Sequence, residues 1–242
     1  MPISPAELIA NEDIEKALVR DYFSNKTTGC VVEVGANEPV SPYSQSWHLE
    51  EKLGWKAILI EPNPELAQKA RDERPNATIC EVACVREDHQ SSMDLHIPLS
   101  PTGSKITGHA ALGKNIDDHH YQEHFSVSVP TRSLGALLKD LNSPQIDVLS
   151  IDVEGTELDV LQGIDLNSFR PNLILLEDKH VYLTKHRFLK NHGYKLTKRT
   201  GLNCWYIPKN HPPVKQSWIE KIKLFKRMYL SIWLKKIKAI LR

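Results

Sequence analysis

The sequence predicts an α/β protein whose central, mostly parallel sheet has helices on both faces. Segments rich in branched apolar residues alternate along the chain with segments of helical periodicity, which is typical of parallel strands joined by crossover helices. In addition, three buried-strand patterns run directly into acidic or glycine-bearing residues, at 31–37, 57–64 and 147–155. Because ligands bind outside the carboxyl ends of parallel strands, these three tips predict one composite site.

The individual elements follow from periodicity and from turn residues. Apolar residues recur at helical spacing from Leu8 to Phe23, and Ser4 and Pro5 suit a cap and a first turn, so a covering helix is predicted over 5–23. Strands are predicted at 30–34, 56–60, 77–85, 126–130, 146–151 and 173–177, and as a final hairpin at 194–198 and 203–207. Helices are predicted between the strands at 43–53, 64–73, 134–141 and 156–162.

The segment 97–125 interrupts this alternation. Its prolines and glycines break regular structure, and its length is unusual for a connection, so it is predicted to be a functional loop or lid. Histidines lie in or beside it at positions 96, 109, 119, 120 and 124. Their spacing matches no defined metal site, which favours substrate contact or solvation over metal binding.

Composition predicts one main domain, because 242 residues can bury a core without disulfides or metals. The cysteines at 30, 80, 84 and 204 show no zinc or redox spacing, so reduced thiols and a cytoplasmic location are predicted. The sequence shows neither a secretory signal nor a run long enough to span a bilayer. The predicted boundaries are an N-terminal helical cap at 1–29, a main domain at 30–210 and a C-terminal helix at 211–242.

The segment 217–242 differs in charge from the rest of the chain. It contains eight lysines and arginines and a single acid, Glu220, which gives a local charge of +7. Because the whole chain carries +1, the other 216 residues carry −6. Its apolar and aromatic residues fall mostly on one helical face, which fits a peripheral membrane anchor or, alternatively, packing on its own domain or on a second subunit. Nucleic-acid binding is not predicted, because the body is acidic.

The first strand tip, residues 33–37, places Gly35 where a tight backbone turn is needed beside a ligand. Asn37, Glu38 and Pro39 stand where a dinucleotide fold would have further glycines. This pattern counts against NAD or FAD binding.

The second strand tip carries Glu61, 28 residues after Glu33, at the end of the apolar run 58–60. A carboxylate in this place can accept hydrogen bonds from both hydroxyls of a ribose. The alternative is that Glu61 only caps the helix that follows it.

The tips and the residues around them resemble the FkbM-type family of S-adenosylmethionine-dependent methyltransferases. The matching motifs, over about residues 30–208, are Glu33-Val-Gly-Ala-Asn37, Ser44, Gly54-Trp55-Lys56, Ile60-Glu-Pro-Asn-Pro64, Arg74, Leu149-Ser-Ile-Asp-Val-Glu-Gly-Thr-Glu157 and Leu161-Gln-Gly163. The resemblance implies a Rossmann-like class I fold with seven strands and methyl transfer, usually to oxygen, on a natural product, sugar or glycan. The chain departs from the family pattern at Glu33, where aspartate is commoner, and at Glu38-Pro39, where an acid or amide followed by glycine is usual.

The resemblance also implies which residues bind the cofactor, S-adenosylmethionine. The first tip would line its methionine part, the second would hold the ribose, and the third strand would lie near the adenine. The cofactor-binding residues so assigned are Glu33, Gly35, Ala36, Asn37, Ser44, Glu61, Pro62, Val82, Ala83 and Asp152. No metal ligand is assigned, although binding of a divalent cation by Asp152 and a second carboxylate is an open alternative.

Methyl transfer to a hydroxyl needs a base that removes a proton from the acceptor. Glu154, at the exit of the strand 146–151, is one candidate, and His180, beyond the strand 173–177, is the other. The alternatives are that Glu154 stabilises a helix N-terminus and that His180 is an ordinary loop histidine.

The function predicted from these residues is S-adenosylmethionine-dependent O-methylation of a sugar, glycan or related small molecule, with a possible position at the inner face of a membrane. The alternative is a non-catalytic, membrane-recruited binding module, because Pro39 removes an amide donor and could leave the cofactor loop degenerate. A nucleotide-sugar or NAD enzyme is disfavoured by the missing glycines. The acceptor and the oligomeric state are left open.

Overall fold

A computed structural model describes residues 5–87, 91–113, 123–143, 145–178 and 183–230. The helices are α1 Pro5–Tyr22, α2 Trp47–Leu53, α3 Pro64–Glu73, α4 Leu134–Asp140, α5 Glu157–Gln162, α6 Leu183–Asn191 and α7 Trp218–Phe225. The strands are β1 Cys30–Val34, β2 Lys56–Ile60, β3 Thr78–Cys80, β4 Ala83–Cys84, β5 Ser92–Pro98, β6 Ala111–Leu112, β7 His124–Arg132, β8 Val148–Ile151, β9 Leu173–Glu177, β10 Tyr194–Thr200 and β11 Asn203–Pro208. A 3-10 turn covers Thr107–His109, and a π-helical turn covers Lys226–Leu230.

The larger of two sheets has seven strands in the order β10-β11-β9-β8-β1-β2-β3. The pairs from β3 to β9 are parallel, whereas β11 is antiparallel to both β9 and β10. Register aligns the carboxyl ends of the five parallel strands at Cys80, Ile60, Val34, Ile151 and Leu176. The predicted α/β class is confirmed, and the residues that follow these strands meet at one edge.

Alternate residues of the central strands pack against helices on the two faces of this sheet. One face meets α4, α5 and α6 in a cluster that includes Val32, Val34, Ile58, Ile60, Leu138, Leu161 and Leu189. The other face meets α1, α2 and α3 in a cluster that includes Val19, Val31, Leu49, Ala57, Leu59 and Ala70. Burial of each large aliphatic side chain contributes about 1.5–3 kcal/mol, so this core holds the strand tips on a rigid platform.

A second, four-stranded sheet with the order β4-β7-β5-β6 was not predicted from the sequence. β5 and β7 are antiparallel from the pair Ser92 and Pro130 to the pair Pro98 and His124. The prediction of a loop over 97–125 is therefore wrong at both of its ends. The physical reason is that alternate residues of β5 and β7 bury a small core, which consists of Ala83, Val85, Leu95, Ile97, Leu112 and Val129.

Three further differences from the sequence prediction concern single elements. The strand predicted at 77–85 is divided into β3, in the larger sheet, and β4, which pairs with β7 in the smaller one. Helix α6 was missed, because it has a weak apolar pattern and buries Lys185 beside Leu189. The helix predicted over 217–242 is described as far as Leu230, and residues 231–242 lie outside the described residues.

In the described part of the chain, no helix is long and apolar enough to cross a bilayer.

Candidate active site

Backbone hydrogen bonds join the strand tips at the carboxyl edge of the larger sheet. The Gly35 amide donates to the Ile60 carbonyl at 2.9 Å, and the Asp152 amide donates to the Val34 carbonyl at 3.0 Å. The Glu61 amide donates to the Cys80 carbonyl at 3.0 Å. The tips are therefore held against one another, and side chains placed on them have little freedom to separate.

Gly35 lies where the first tip crosses the third. Its φ is +83°, and a Cβ built on it would lie 1.8 Å from the carbonyl oxygen of Asp152. Only glycine tolerates both this left-handed conformation and this backbone approach. The glycine of the first tip is therefore required by the junction with Asp152 as well as by the turn.

Gly35→Ala is expected to lower the free energy of unfolding by at least about 3 kcal/mol, because the left-handed strain adds to a clash with backbone that has to move. Gly103→Ala is the matched control, since Gly103 has nearly the same φ, +82°, with nothing within 4 Å of its added Cβ. The control is expected to lose only about 1 kcal/mol. Urea denaturation measures both, and equal losses would contradict the close approach to Asp152.

Glu61 is a buried carboxylate, 6% exposed, at the end of β2. It accepts hydrogen bonds from the Asn37 amide at 2.7 Å and from the Asn63 amide at 2.9 Å. Burial raises the pKa of Glu61 to about 7, although the two amides oppose this shift. The N-cap of α3 is Asn63, whose side chain accepts from the Glu65 amide, so Glu61 is not needed as the cap.

The strand tips line a cavity of about 620 Å³, called here the Glu61 cavity. Eight of the twelve residues predicted for the site lie on its wall: Gly35, Asn37, Glu61, Pro62, Val82, Ala83, Asp152 and Glu154. The opposite wall is built by the smaller sheet and the 3-10 turn, which contribute Leu95, Thr107, Gly108, Ala110 and Leu112. This wall was not identified from the sequence, although the alternation of apolar residues in 93–97 could have indicated its main strand.

A second cavity, of about 960 Å³, lies on the other side of Gly35, Asn37 and Asp152 and is called here the Glu177 cavity. Its wall includes the other three predicted cofactor-binding residues, Glu33, Ala36 and Ser44. Polar residues that were not predicted for the site also line it, and they include Ser41, Tyr43, Gln45, Ser150 and Asn203. The two cavities share the junction between the first and third tips.

Three carboxylates meet beside this junction. Asp152, Glu154 and Glu177 each offer an oxygen, and these oxygens all lie within 4.8 Å of one another. Glu154 has a φ of +51°, which is uncommon for a residue other than glycine or asparagine. This arrangement can accept a proton or hold a divalent cation. His180, the other predicted base, lies outside the described residues.

A family model described as the methyltransferase FkbM domain matches residues 33–196, which is more than half of the chain. The chain belongs to the FkbM methyltransferase family. Its membership supports methyl transfer as the activity. The chain is also similar to a crystal structure of precorrin-6y C5,15-methyltransferase from Geobacter metallireducens GS-15, at 14% identity and a TM-score of 0.42, over 79% of this chain and 85% of that chain. Comparison with curated proteins gives no significant match.

Within this FkbM domain, Glu33 fixes the loop that follows the first tip. Its carboxylate accepts hydrogen bonds from the Ser44 hydroxyl at 2.9 Å, from the Gln45 amide at 2.6 Å and from the Ser46 amide at 3.1 Å, and also from the Ser46 hydroxyl. Glu33 and Ser44 were both predicted to bind the cofactor. The structure places them in contact with each other on the wall of the Glu177 cavity.

Arg74, part of the FkbM motif, braces the same loop from α3. Its guanidinium donates to Glu50 at 2.5 and 2.7 Å, to the Ser46 hydroxyl at 2.9 Å and to the Pro39 carbonyl at 3.3 Å. Pro39 is thus held in place although it departs from the family pattern, and the Asn37 amide still reaches Glu61. The hydrogen bond between the first and second tips is therefore present with Pro39 in the loop.

Lys185 of the FkbM domain forms a buried triad with two carboxylates, Glu157 and Asp178. Its ammonium lies 3.0 Å from Glu157 and 3.2 Å from Asp178, and all three side chains are buried. Glu157 also accepts the Gly155 amide at 2.8 Å. Burial alone lowers the pKa of Lys185, but the two carboxylates outweigh it and raise that pKa. The triad therefore ties the tip after β8 to the tip after β9.

Proposed function

We propose that this chain is an S-adenosylmethionine-dependent methyltransferase of the class I fold, which binds its cofactor in the Glu61 cavity and methylates a hydroxyl of an acceptor held in the Glu177 cavity. The observation that carries this proposal is the buried Glu61 carboxylate, which shares a cavity with Gly35 and with residues 82–84. Acidic, glycine-bearing tips at the aligned ends of parallel strands suit a ribose and a positively charged ligand.

The residues of the Glu61 cavity fit this cofactor. Its wall combines apolar side chains, such as Val34, Ile60 and Leu95, with a few polar groups, which is usual for small-molecule sites. Each Glu61 oxygen accepts one amide and retains a further lone pair, so the carboxylate can also accept both ribose hydroxyls. The Asn37 side-chain oxygen is buried with no hydrogen-bond partner among the described residues, and it can accept from the cofactor's ammonium group.

Bound S-adenosylmethionine supplies a methyl group on a positively charged sulfur, open to displacement by a nucleophile. The chain's part is to orient the acceptor and to take its proton. Glu154 and Glu177 stand beside the junction of the two cavities, where a carboxylate can accept the hydrogen of an acceptor hydroxyl. Asp152 faces both cavities and adds negative charge next to a cationic ligand.

The lining of the Glu177 cavity supports a hydroxyl-rich acceptor such as a sugar, a glycan or a related small molecule. Ser41, Tyr43, Gln45 and Asn203 can donate and accept hydrogen bonds, and Glu177 can accept them. Such groups discriminate strongly between acceptors, because an acceptor that lacks the matching hydroxyl leaves buried polar atoms of the cavity without a hydrogen bond.

A cytoplasmic location is part of the same proposal. Cys30, Cys80, Cys84 and Cys204 are free and buried, and free thiols support a reducing compartment.

A methyl-transfer assay tests the proposed function. The purified chain, supplied with S-adenosylmethionine labelled on its methyl group, is expected to label a small molecule or glycan in cell extract. Glu154→Gln and Glu177→Gln are expected to lower this labelling, whereas Glu73→Gln, at an exposed position on α3, is not. A parallel assay with a chelator decides whether the carboxylates act through a metal. Absence of labelling with every extract, together with absence of cofactor binding, would contradict the proposal.

The pKa of Glu61 predicts how cofactor affinity depends on pH. A ribose hydroxyl donates a hydrogen bond to the ionised Glu61 carboxylate. Glu61 must therefore lose its proton for the cofactor to bind, and burial makes this loss harder near neutral pH. With a pKa of about 7, affinity for S-adenosylhomocysteine is expected to rise about tenfold from pH 6 to pH 8. Calorimetric titration at the two pH values measures this rise. Glu61→Gln should bind weakly with little pH dependence, and an unchanged rise in this variant would assign the titration to another group.

A further inference from the structure

Helix α7 carries large apolar side chains on its outward side. Trp218 is 79% exposed, Ile219 65%, Ile222 52% and Phe225 58%. They account for four of the nine exposed large hydrophobic side chains in the part of the chain that the structure describes. Apolar residues scattered singly are normal on a surface, but a cluster within eight residues indicates an interaction site.

The inward side of the same helix is anchored on the domain by other residues. Glu220 forms an ion pair with Lys198 of β10 at 2.7 Å and a capping box with Ser217. Leu224 is half-buried and Met228 is only 2% exposed, one and two turns further on. These contacts fix the inward side of the helix to the domain, and the four exposed apolar side chains lie away from that side.

Positive charge surrounds the apolar face. Lys221, Lys223, Lys226 and Arg227 are exposed on the same segment, and its one acid, Glu220, is neutralised by Lys198. A groove of about 860 Å³ between α6, β10 and α7 is lined by Lys190, Lys195, Lys209 and Lys221. The sequence continues through residues 231–242 with four more lysines and arginines and no acid.

We propose that the face formed by Trp218, Ile219, Ile222 and Phe225 docks on an anionic lipid bilayer. A helix that lies in the plane of a membrane inserts apolar side chains into the interface and places its cations beside negative lipid headgroups. Helix α7 has both features. A second copy of the chain fits less well, because a symmetric contact brings the same cations together. A nucleic acid would satisfy the cations but leave Trp218 and Ile222 in water. The surface would hold the FkbM domain at a membrane whether or not the proposed chemistry is right.

The test uses the full chain in a flotation assay with two kinds of vesicle, phosphatidylcholine alone and phosphatidylcholine mixed with phosphatidylserine. The wild type is expected to float with the mixed vesicles and not with the neutral ones. The double variant Trp218→Ser/Ile222→Ser is expected to bind at least about tenfold more weakly, and Lys221→Gln about fivefold more weakly. The matched controls are Ile14→Ser and Lys52→Gln, at exposed positions on α1 and α2, and they are expected to bind like the wild type.

Thermal unfolding of each variant confirms that it is folded, so that a loss of flotation is a loss of the surface. Three results would overturn the proposal. The first is absence of wild-type binding to the mixed vesicles, and the second is equal binding by the double variant. The third is a dimer in solution that Ile222→Ser dissociates, which would make a second copy the partner. Calorimetry with S-adenosylhomocysteine is independent of these results, since none of the substitutions touches the Glu61 cavity.

Discussion

Glu61→Ala is expected to weaken the binding of S-adenosylhomocysteine by about 10- to 100-fold, because each hydrogen bond to a buried charged group contributes about 1.5–3 kcal/mol. Two effects add in this variant. The ribose hydroxyls lose their acceptor, and the amides of Asn37 and Asn63 lose the carboxylate that fixes the first and second tips. Isothermal titration calorimetry at pH 8, where Glu61 is mostly ionised, measures the loss.

Glu73→Ala is the control for this experiment, because Glu73 is an exposed carboxylate at the end of α3. It is expected to bind the ligand like the wild type. The assignment of the ribose to Glu61 would be wrong if Glu61→Ala retained wild-type affinity while remaining folded.

Lys185→Met is expected to lower the free energy of unfolding by about 3–5 kcal/mol, because it removes the cation that two buried carboxylates share. Glu157 is 4% exposed and Asp178 only 1%, so water cannot take over the role of the ammonium. Chemical denaturation monitored by circular dichroism measures the change.

Arg187→Met gives the matched comparison, because Arg187 is an exposed cation two residues further along α6. A change of less than about 0.5 kcal/mol is expected there. If both variants lost the same stability, the buried triad would not be the source of the effect.

The strand tips could be predicted from the sequence because their signals are local. A short apolar run that ends in glycine or an acid specifies both the strand and its polar end, as at Gly35, Glu61 and Asp152. Parallel pairing then aligns these ends without further information. This is why residues distant in sequence, such as Glu61 and Glu154, could be assigned to one site.

The smaller sheet was missed because its pairing is non-local and its strands carry misleading residues. Pro98 ends β5, and a proline there normally argues against a strand. The middle of β7 was predicted, at 126–130, but its antiparallel pairing with β5 was not. The glycines and prolines of 97–125 favoured a loop, although the alternation of Leu95 and Ile97 with polar residues indicates a strand. The wall that this sheet adds to the Glu61 cavity could therefore not be assigned in advance.

The contacts of individual polar side chains could not be predicted from the sequence, for a different reason. The Glu33 carboxylate accepts hydrogen bonds from the hydroxyls of Ser44 and Ser46, and the Ser46 hydroxyl also accepts one from Arg74. Because Arg74 lies 41 residues after Glu33 in the sequence, this network exists only in the folded chain. Lys185 could not be recognised either, because a lysine on a weakly amphipathic helix normally indicates an exposed position. The cofactor role of Glu33 stays a prediction, and the geometry indicates that it acts by shaping the loop.

A crystal structure of the chain with S-adenosylhomocysteine tests the central claim most directly. The account predicts the ligand in the Glu61 cavity, with its ribose hydroxyls on the Glu61 carboxylate, its adenine beside Val82 and Ala83, and its sulfur directed toward Asp152. A ligand in the Glu177 cavity, or a ribose that does not touch Glu61, would contradict it.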